Sequence, residues 1–148
     1  MSANEIFTGL WLGNVKDSKN PDFINRMDII INCSKSLPFL DNTKKCLRVY
    51  VDDNLDKEEI YNLYNYLPKM TEVIHTSLQH NKNVFVHCFA GKQRSASIVV
   101  GYLIRYCGLT LEQAKIVLET KRNIVFTPYM NFESALKLFE ENYYKKFR

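Results

Sequence analysis

The residues best suited to do chemistry lie in one run, Val84-Phe85-Val86-His87-Cys88-Phe89-Ala90-Gly91-Lys92-Gln93-Arg94-Ser95. An apolar strand delivers a cysteine, five residues turn, and an arginine opens a helix. Backbone N–H groups of a tight loop that ends at a helix N-terminus converge on one point, where the helix dipole adds positive potential. Phe89, Ala90, Gly91, Lys92 and Gln93 would form such a cradle, sized for an anion like a phosphate group. The same field favours the ionised form of the thiol beneath it, so Cys88 is a candidate nucleophile. Gly91 permits the backbone conformation the turn requires. Arg94 offers a planar fork of donors that can hold two phosphate oxygens and follow them into a transition state.

Each of these residues has a blander reading. A lone cysteine is most often a buried structural thiol. A histidine at a strand end is more often packed and hydrogen-bonded than a proton shuttle, so His87 takes a supporting role here. Ser95 alone is a first-turn helix residue, and Arg94 alone a surface ion-pair former. Their placement on one loop outweighs these readings. Charge agrees: the chain carries a net +4, and residues 81–122 hold seven Lys/Arg against two acids. That local excess favours anionic ligands, although a solvated basic face would look similar.

The elements that must position this run are legible in outline. Strand-like segments at Glu5–Phe7, Leu10–Leu12, Asp28–Cys33 and Cys46–Val51 are separated by Gly, Asn, Asp and Pro. The run Ile29-Ile30-Ile31 predicts a strand covered on both faces, fed by a short helix over Asp22–Arg26. Lys57–Gln79 reads as a helix that Pro68 should kink or divide. Its face would hold Met70, Val73, Ile74, Ser77 and Leu78, and Asp56 would be its N-cap. After strand Val84–Val86, Arg94–Cys107 reads as a buried helix stopped by Gly108. Thr110 and Gln113 form a capping box for a helix to about Arg122. Thr127-Pro128 suggests the N-cap and first position of a last helix, with Phe132, Ala135, Leu136, Phe139 and Tyr143 as its buried stripe. The expected architecture is α/β: a central mixed, mainly parallel sheet of about five strands flanked by helices on both faces.

The run HCFAGKQRS resembles the signature of the cysteine-dependent protein tyrosine phosphatases, in their compact dual-specificity branch. The resemblance extends to Ile6–Gly13 (IFTGLWLG), to Ile29–Cys33, and to Val49-Tyr50-Val51-Asp52-Asp53-Asn54, which matches the segment carrying the family's general acid. It implies Cys88 as nucleophile, Arg94 as phosphate clamp, and His87 as a support of the loop and thiolate. The Ser95 hydroxyl would assist the departing thiolate. Asp52 and Asp53 are both available as acid, and a pair of acids after a strand is commonly just a polar turn. The family pattern favours Asp53. Departures also occur. The Arg-Pro and Pro-Asn pairs found near the family's final helix appear as Arg122-Asn123 and Pro128-Tyr129, spaced one residue wider, at positions that support the loop from behind. Gln93 replaces a small hydroxyl residue, and Lys92 gives an Ala-Gly-Lys core like that of phosphoinositide-directed relatives, with Phe89 where their second basic residue would be.

The 148 residues suit one domain, and an apolar fraction of 46% excludes a disordered chain. No apolar stretch of about 18 residues suggests a membrane span, and no signal peptide is read at the N-terminus. Four scattered cysteines without C-x-x-C spacing suit neither a disulfide scaffold nor zinc. They point to a reducing, intracellular setting, cytoplasmic or nuclear. The expected function is hydrolysis of phosphotyrosine and phosphoserine/threonine on proteins through a cysteinyl-phosphate intermediate, with no metal and no cofactor. The substrate would be a phosphorylated protein; the basic residues are too few for a nucleic-acid groove. The oligomeric state is not legible. Rival readings are a phosphoinositide or RNA 5′-phosphatase using the same chemistry, or a phosphate-binding interaction module.

Overall fold

The computed structural model describes residues 2–40 and 43–144. Five strands form one sheet in the order β1-β2-β5-β3-β4: β1 (Asn4–Phe7), β2 (Leu10–Gly13), β3 (Ile29–Asn32), β4 (Lys45–Arg48) and β5 (Val84–His87). β1 is antiparallel to β2, and all other pairings are parallel. Six helices complete the chain: α1 (Val15–Ser18), α2 (Pro21–Asn25), α3 (Lys57–Gln79), α4 (Arg94–Cys107), α5 (Leu111–Lys121) and α6 (Glu133–Tyr144). The expected mixed, mainly parallel five-stranded sheet is therefore present.

Strand periodicity sorts the core into two layers. Leu10, Leu12, Ile29, Ile31, Val84 and Val86 face the larger cluster, built with side chains of α3, α4, α5 and α6. Ile30 and Phe85 point the other way, onto Phe23, Ile24 and Met27 around α2, with Trp11 packed against them. Phe23 meets both Trp11 and Phe85 edge-on. Full burial of such side chains contributes about 1.5–3 kcal/mol each, so β5, buried at all four positions, is firmly anchored. It sits between β2 and β3, in register with both. The residue it releases next is Cys88.

Several details differ from the sequence reading. α1 went unread, although Asn14 and Asp17 form a capping box at its start. β4 stops at Arg48: the Val49 N–H makes a last bond to the Asn32 carbonyl of β3, and the Val51 N–H then turns back onto the Val49 carbonyl. α3 runs through Pro68 without being divided there, and Asp56 is its N-cap as expected, though without a side-chain capping bond. The last helix begins at Glu133, not at Thr127-Pro128. The Thr127 hydroxyl donates back to the Ile124 carbonyl, so it is not free to cap a helix start. The expected stripe does pack, with Phe132, Ala135, Leu136 and Phe139 buried and Tyr143 lying against the core. The capping box of Thr110 and Gln113 and the left-handed stop at Gly108 both form.

Candidate active site

Between β5 and α4, residues 88–93 curl around the Cys88 thiol. The Gly91 N–H donates to Cys88 Sγ at 3.3 Å, and the Ser95 hydroxyl lies 3.1 Å from the same sulfur. Cys88 is nearly covered, at 3% exposure. The carbonyls of the loop explain its curvature. Phe89 O accepts from Val15 N–H at 3.0 Å, and Lys92 O from Phe126 N–H at 3.0 Å. Ala90 O and Gly91 O accept from Arg122 Nη2 (3.2 Å) and Nε (2.9 Å). A peptide's N–H points opposite its carbonyl. Four consecutive carbonyls fastened to the scaffold therefore leave the N–H groups of Ala90, Gly91, Lys92 and Gln93 turned toward the loop's interior, the arrangement that binds an anion. Gln93, the N-cap of α4, makes no side-chain capping bond, so its side chain does not compete for that first turn.

Gly91 has φ +68°, and a Cβ there would lie 2.5 Å from the Gly13 carbonyl oxygen and 2.7 Å from Arg122 Nη2. Only glycine fits. Arg122 is itself buried, and its Nη1 reaches Ser2 O and Asn4 Oδ1. The support from behind expected at Arg122 is present, and it extends to the N-terminal segment. His87 is fully buried, stacked on Phe85, with Nδ1 3.4 Å from the Cys88 carbonyl. Burial, only partly offset by that carbonyl, pushes its pKa down to about 4. It is neutral near pH 7, so it supports the loop by packing and contributes no positive charge to the thiolate.

The front of the site is built differently. Val49 and Val51 are fully buried and anchor the segment from which Asp52 and Asp53 emerge. Arg94 Nη1 donates to the Val51 carbonyl at 3.0 Å, while its buried Nε has no partner among the described residues. The signature arginine is thus tied to the acid segment by one arm and keeps a donor unspent. Neighbouring side chains on an extended segment diverge, and the two aspartates do. Asp52 pairs with Lys35 at 3.2 Å, and its N–H donates to Glu59 Oε2. Glu59 would be raised by burial, but Lys35, Asn62 and the Asp52 N–H together lower it to about 2, so it stays ionised. Asp53 is exposed and, among the described residues, accepts a bond from Asn131 Nδ2 at 2.8 Å. Asn131 is in turn held by its N–H on Gln93 Oε1, and Gln93 Nε2 donates to Tyr129 O. Gln93, buried at 4% exposure, therefore connects the loop to Asp53. The Lys92 side chain is half-buried and Phe89 is exposed on the rim.

Sequence reasoning singled out Cys88, the loop, Arg94, Ser95 and the Asp52-Asp53 pair, and the structure brings Ser95 to the Cys88 sulfur and Arg94 to the Val51 carbonyl just before that pair. It missed Asn131, which lies 78 residues from Asp53 and carries no local signal, and it read Gln93 as part of the cradle and a departure from pattern, not as a link to Asp53. The bracket of Lys35 and Glu59 around Asp52 was also invisible.

A family model described as "Dual specificity phosphatase, catalytic domain" matches residues 10–142. The chain is 34% identical over 143 residues to "Putative tyrosine phosphatase 123R" of Invertebrate iridescent virus 6, covering 95% of this chain and 93% of the relative. It is 31% identical over 144 residues to "Dual specificity protein phosphatase 1B" of Arabidopsis thaliana, covering 94% and 82%. Human "Dual specificity protein phosphatase 6" is 30% identical over 141 residues, covering 92% of this chain, which spans only 36% of that longer protein. Among solved structures, DUSP15 superposes with a TM-score of 0.85 at 27% identity, covering 97% of this chain and 90% of that one. Human DUSP28 shares the fold at a TM-score of 0.85 and 21% identity, covering 96% and 95%. A sulfur ringed by donors and a matching family pattern along most of the chain agree: the chain belongs to the dual specificity phosphatases, the compact branch of the cysteine-dependent protein tyrosine phosphatases, and is a metal-independent, cysteine-based protein phosphatase.

Proposed function

We propose that Cys88, Arg94, Ser95 and Asp53 carry out the family's reaction on phosphotyrosine and phosphoserine/threonine side chains, and that residues 1–148 make up one catalytic domain. The carrying observation is the convergence of the Gly91 N–H and the Ser95 hydroxyl on Cys88 Sγ, inside a loop whose carbonyls all face the scaffold. The Cys88 thiolate attacks phosphorus, and an S–P bond forms as the P–O bond to the substrate side chain breaks. The electron pair stays on the departing oxygen, which takes the proton of Asp53. The N–H groups of residues 89–93 and the Arg94 fork hold the three equatorial oxygens. Water then attacks phosphorus and gives its proton to Asp53. The S–P bond breaks, and the Ser95 hydroxyl donates to the sulfur as it leaves.

Asn131 and Gln93 are positioning residues for Asp53, and Arg122 is one for the loop. Exposure of Phe89 and Asp53 at the rim supports a shallow site that accepts short as well as long phosphorylated side chains. A thiol nucleophile requires a reducing compartment, which supports an intracellular location. No helix among the described residues is long and apolar enough to cross a membrane.

The test is Cys88→Ser assayed on an aryl phosphate and on phosphopeptides. Turnover should fall at least about a hundredfold on both, because an alcohol is far less ionised than a thiol, while phosphate still binds. Retained turnover in the serine variant would refute covalent catalysis through Cys88.

A further inference from the structure

Beside the acid segment lies a second, apolar feature that the phosphate chemistry does not use. α3 begins at Lys57, four residues after Asp53, and α6 begins at Glu133, two residues after Asn131. The Asp53–Asn131 hydrogen bond therefore joins the two helices at their starts. Just beyond it, α3 and α6 pack together and leave a groove of about 340 Å³, with Ile60, Tyr61, Tyr64, Ala135 and Leu138 on its walls. Its floor is fixed: Tyr61 and Tyr64 stack, and the Tyr64 hydroxyl bonds Asn142. Tyr61 and Leu138 nevertheless stand 63% and 45% exposed, and Leu55 and Tyr129, on the two segments flanking the Asp53–Asn131 bond, 61% and 62%. Clustered exposure of large apolar side chains marks a surface that binds something. Lys57 is the groove's single charged wall residue.

We infer that this groove is a substrate subsite: it takes an apolar side chain of the phosphoprotein, two to four residues from the phosphorylated one, with Lys57 meeting an acidic neighbour. The inference rests on the phosphatase reading. Asp53 must touch the leaving oxygen, so the Asp53–Asn131 bond marks where the phosphorylated side chain enters. The groove occupies the first two turns of both helices, each turn about 5.4 Å long. An extended peptide covers about 3.3–3.6 Å per residue, so two to four residues span that distance. Continuity with the catalytic rim favours a substrate segment over a remote partner.

The experiment compares phosphotyrosine peptides carrying Leu or Ser at each position two to four residues either side of the phosphotyrosine. It uses the intact chain and the surface variants Tyr61→Gln and Leu138→Gln, with an aryl phosphate as control. In the wild type, Leu at one position should raise kcat/KM about tenfold, mostly through KM. Both variants should erase that preference and leave aryl phosphate turnover unchanged. Equal rates on Leu and Ser peptides at every position would overturn the subsite, as would variants that slow the aryl phosphate equally. Variants that change only the sedimentation behaviour would reassign the groove to a second copy of this chain and overturn it too. Turnover of aryl phosphate with none of any peptide would overturn the protein-substrate reading itself, and the subsite with it.

Discussion

The two sides of the phosphate loop are held by opposite means. Behind it, four carbonyls are fastened by Val15, Phe126 and the buried Arg122, and β5 beneath is covered on both faces. In front, the exposed carboxylate of Asp53 rests on one hydrogen bond from Asn131. A cradle that must match three phosphate oxygens gains from rigidity, since donors already in place need no reorganisation during the reaction. As the proposed acid, Asp53 would meet both a phenolic and a shorter aliphatic leaving oxygen, and would gain from freedom to shift. Positional tolerance is concentrated where the substrate varies.

The largest effect should come from sharpening the contrast within the front. Asp53→Asn should lower turnover on poor leaving groups by about 10² to 10³-fold. The loss should shrink on an activated aryl phosphate, whose leaving group needs little protonation. Asp52→Asn should change turnover far less, because its carboxylate is committed to Lys35. Comparing kcat for the two variants across leaving groups checks this; the reverse ranking would move the acid to Asp52.

Breaking the rigid side is the next test. Arg122→Met strands acceptors at Gly91, Ala90, Ser2 and Asn4, of which only the bond to Gly91 is fully buried, and an unmet buried acceptor costs about 1–3 kcal/mol. A stability loss of about 1–3 kcal/mol in urea titration is expected, with kcat falling on activated and poor leaving groups alike. A kcat loss confined to poor leaving groups would assign Arg122 to the acid instead.

His87 gives the same side a pH signature. Its pKa is about 4 when folded and about 6.5 when unfolded. The unfolded chain takes a proton that the folded one refuses, so its contribution to stability is complete above pH 6.5 and lost as pH falls to about 4. The slope approaches 1.4 kcal/mol per pH unit, about 3 kcal/mol across the window. His87→Asn should flatten the wild-type curve of urea midpoint against pH there; parallel curves would contradict the buried neutral imidazole.

Asn131→Ala should have the smallest effect, lowering kcat by roughly tenfold or less on poor leaving groups with KM unchanged, since the acid loses orientation but not proximity. An altered KM would show that Asn131 contacts substrate directly.

The strand, cradle and helix around Cys88 were readable because they are contiguous: a buried run, a turn and a dipole follow one another in sequence. The diverging aspartates were readable only as a pair, since what separates them is Lys35 on one side and Asn131 on the other. Thr127-Pro128 misled because a hydroxyl-proline pair suits a helix start and a turn equally well, and here the Thr127 hydroxyl is spent on Ile124. Asn14 and Asp17 carried a legible capping signal for α1 that went unused. Gln93 was the least legible, because its two partners at Tyr129 and Asn131 come from a segment with no regular periodicity.

Arg122 joins Ser2 and Asn4 to the loop across about 120 positions of chain, and this has a consequence for how the molecule comes to be folded. Contacts of such sequence separation form late, because the entropy of closing the intervening chain precedes any gain. A ribosome adding about 5–20 residues per second exposes β1 to β5 and the whole Cys88 loop before Arg122 emerges. The catalytic loop is complete in sequence well before it is complete in shape, so the nascent phosphatase acquires its final cradle only after nearly all of these residues have been made.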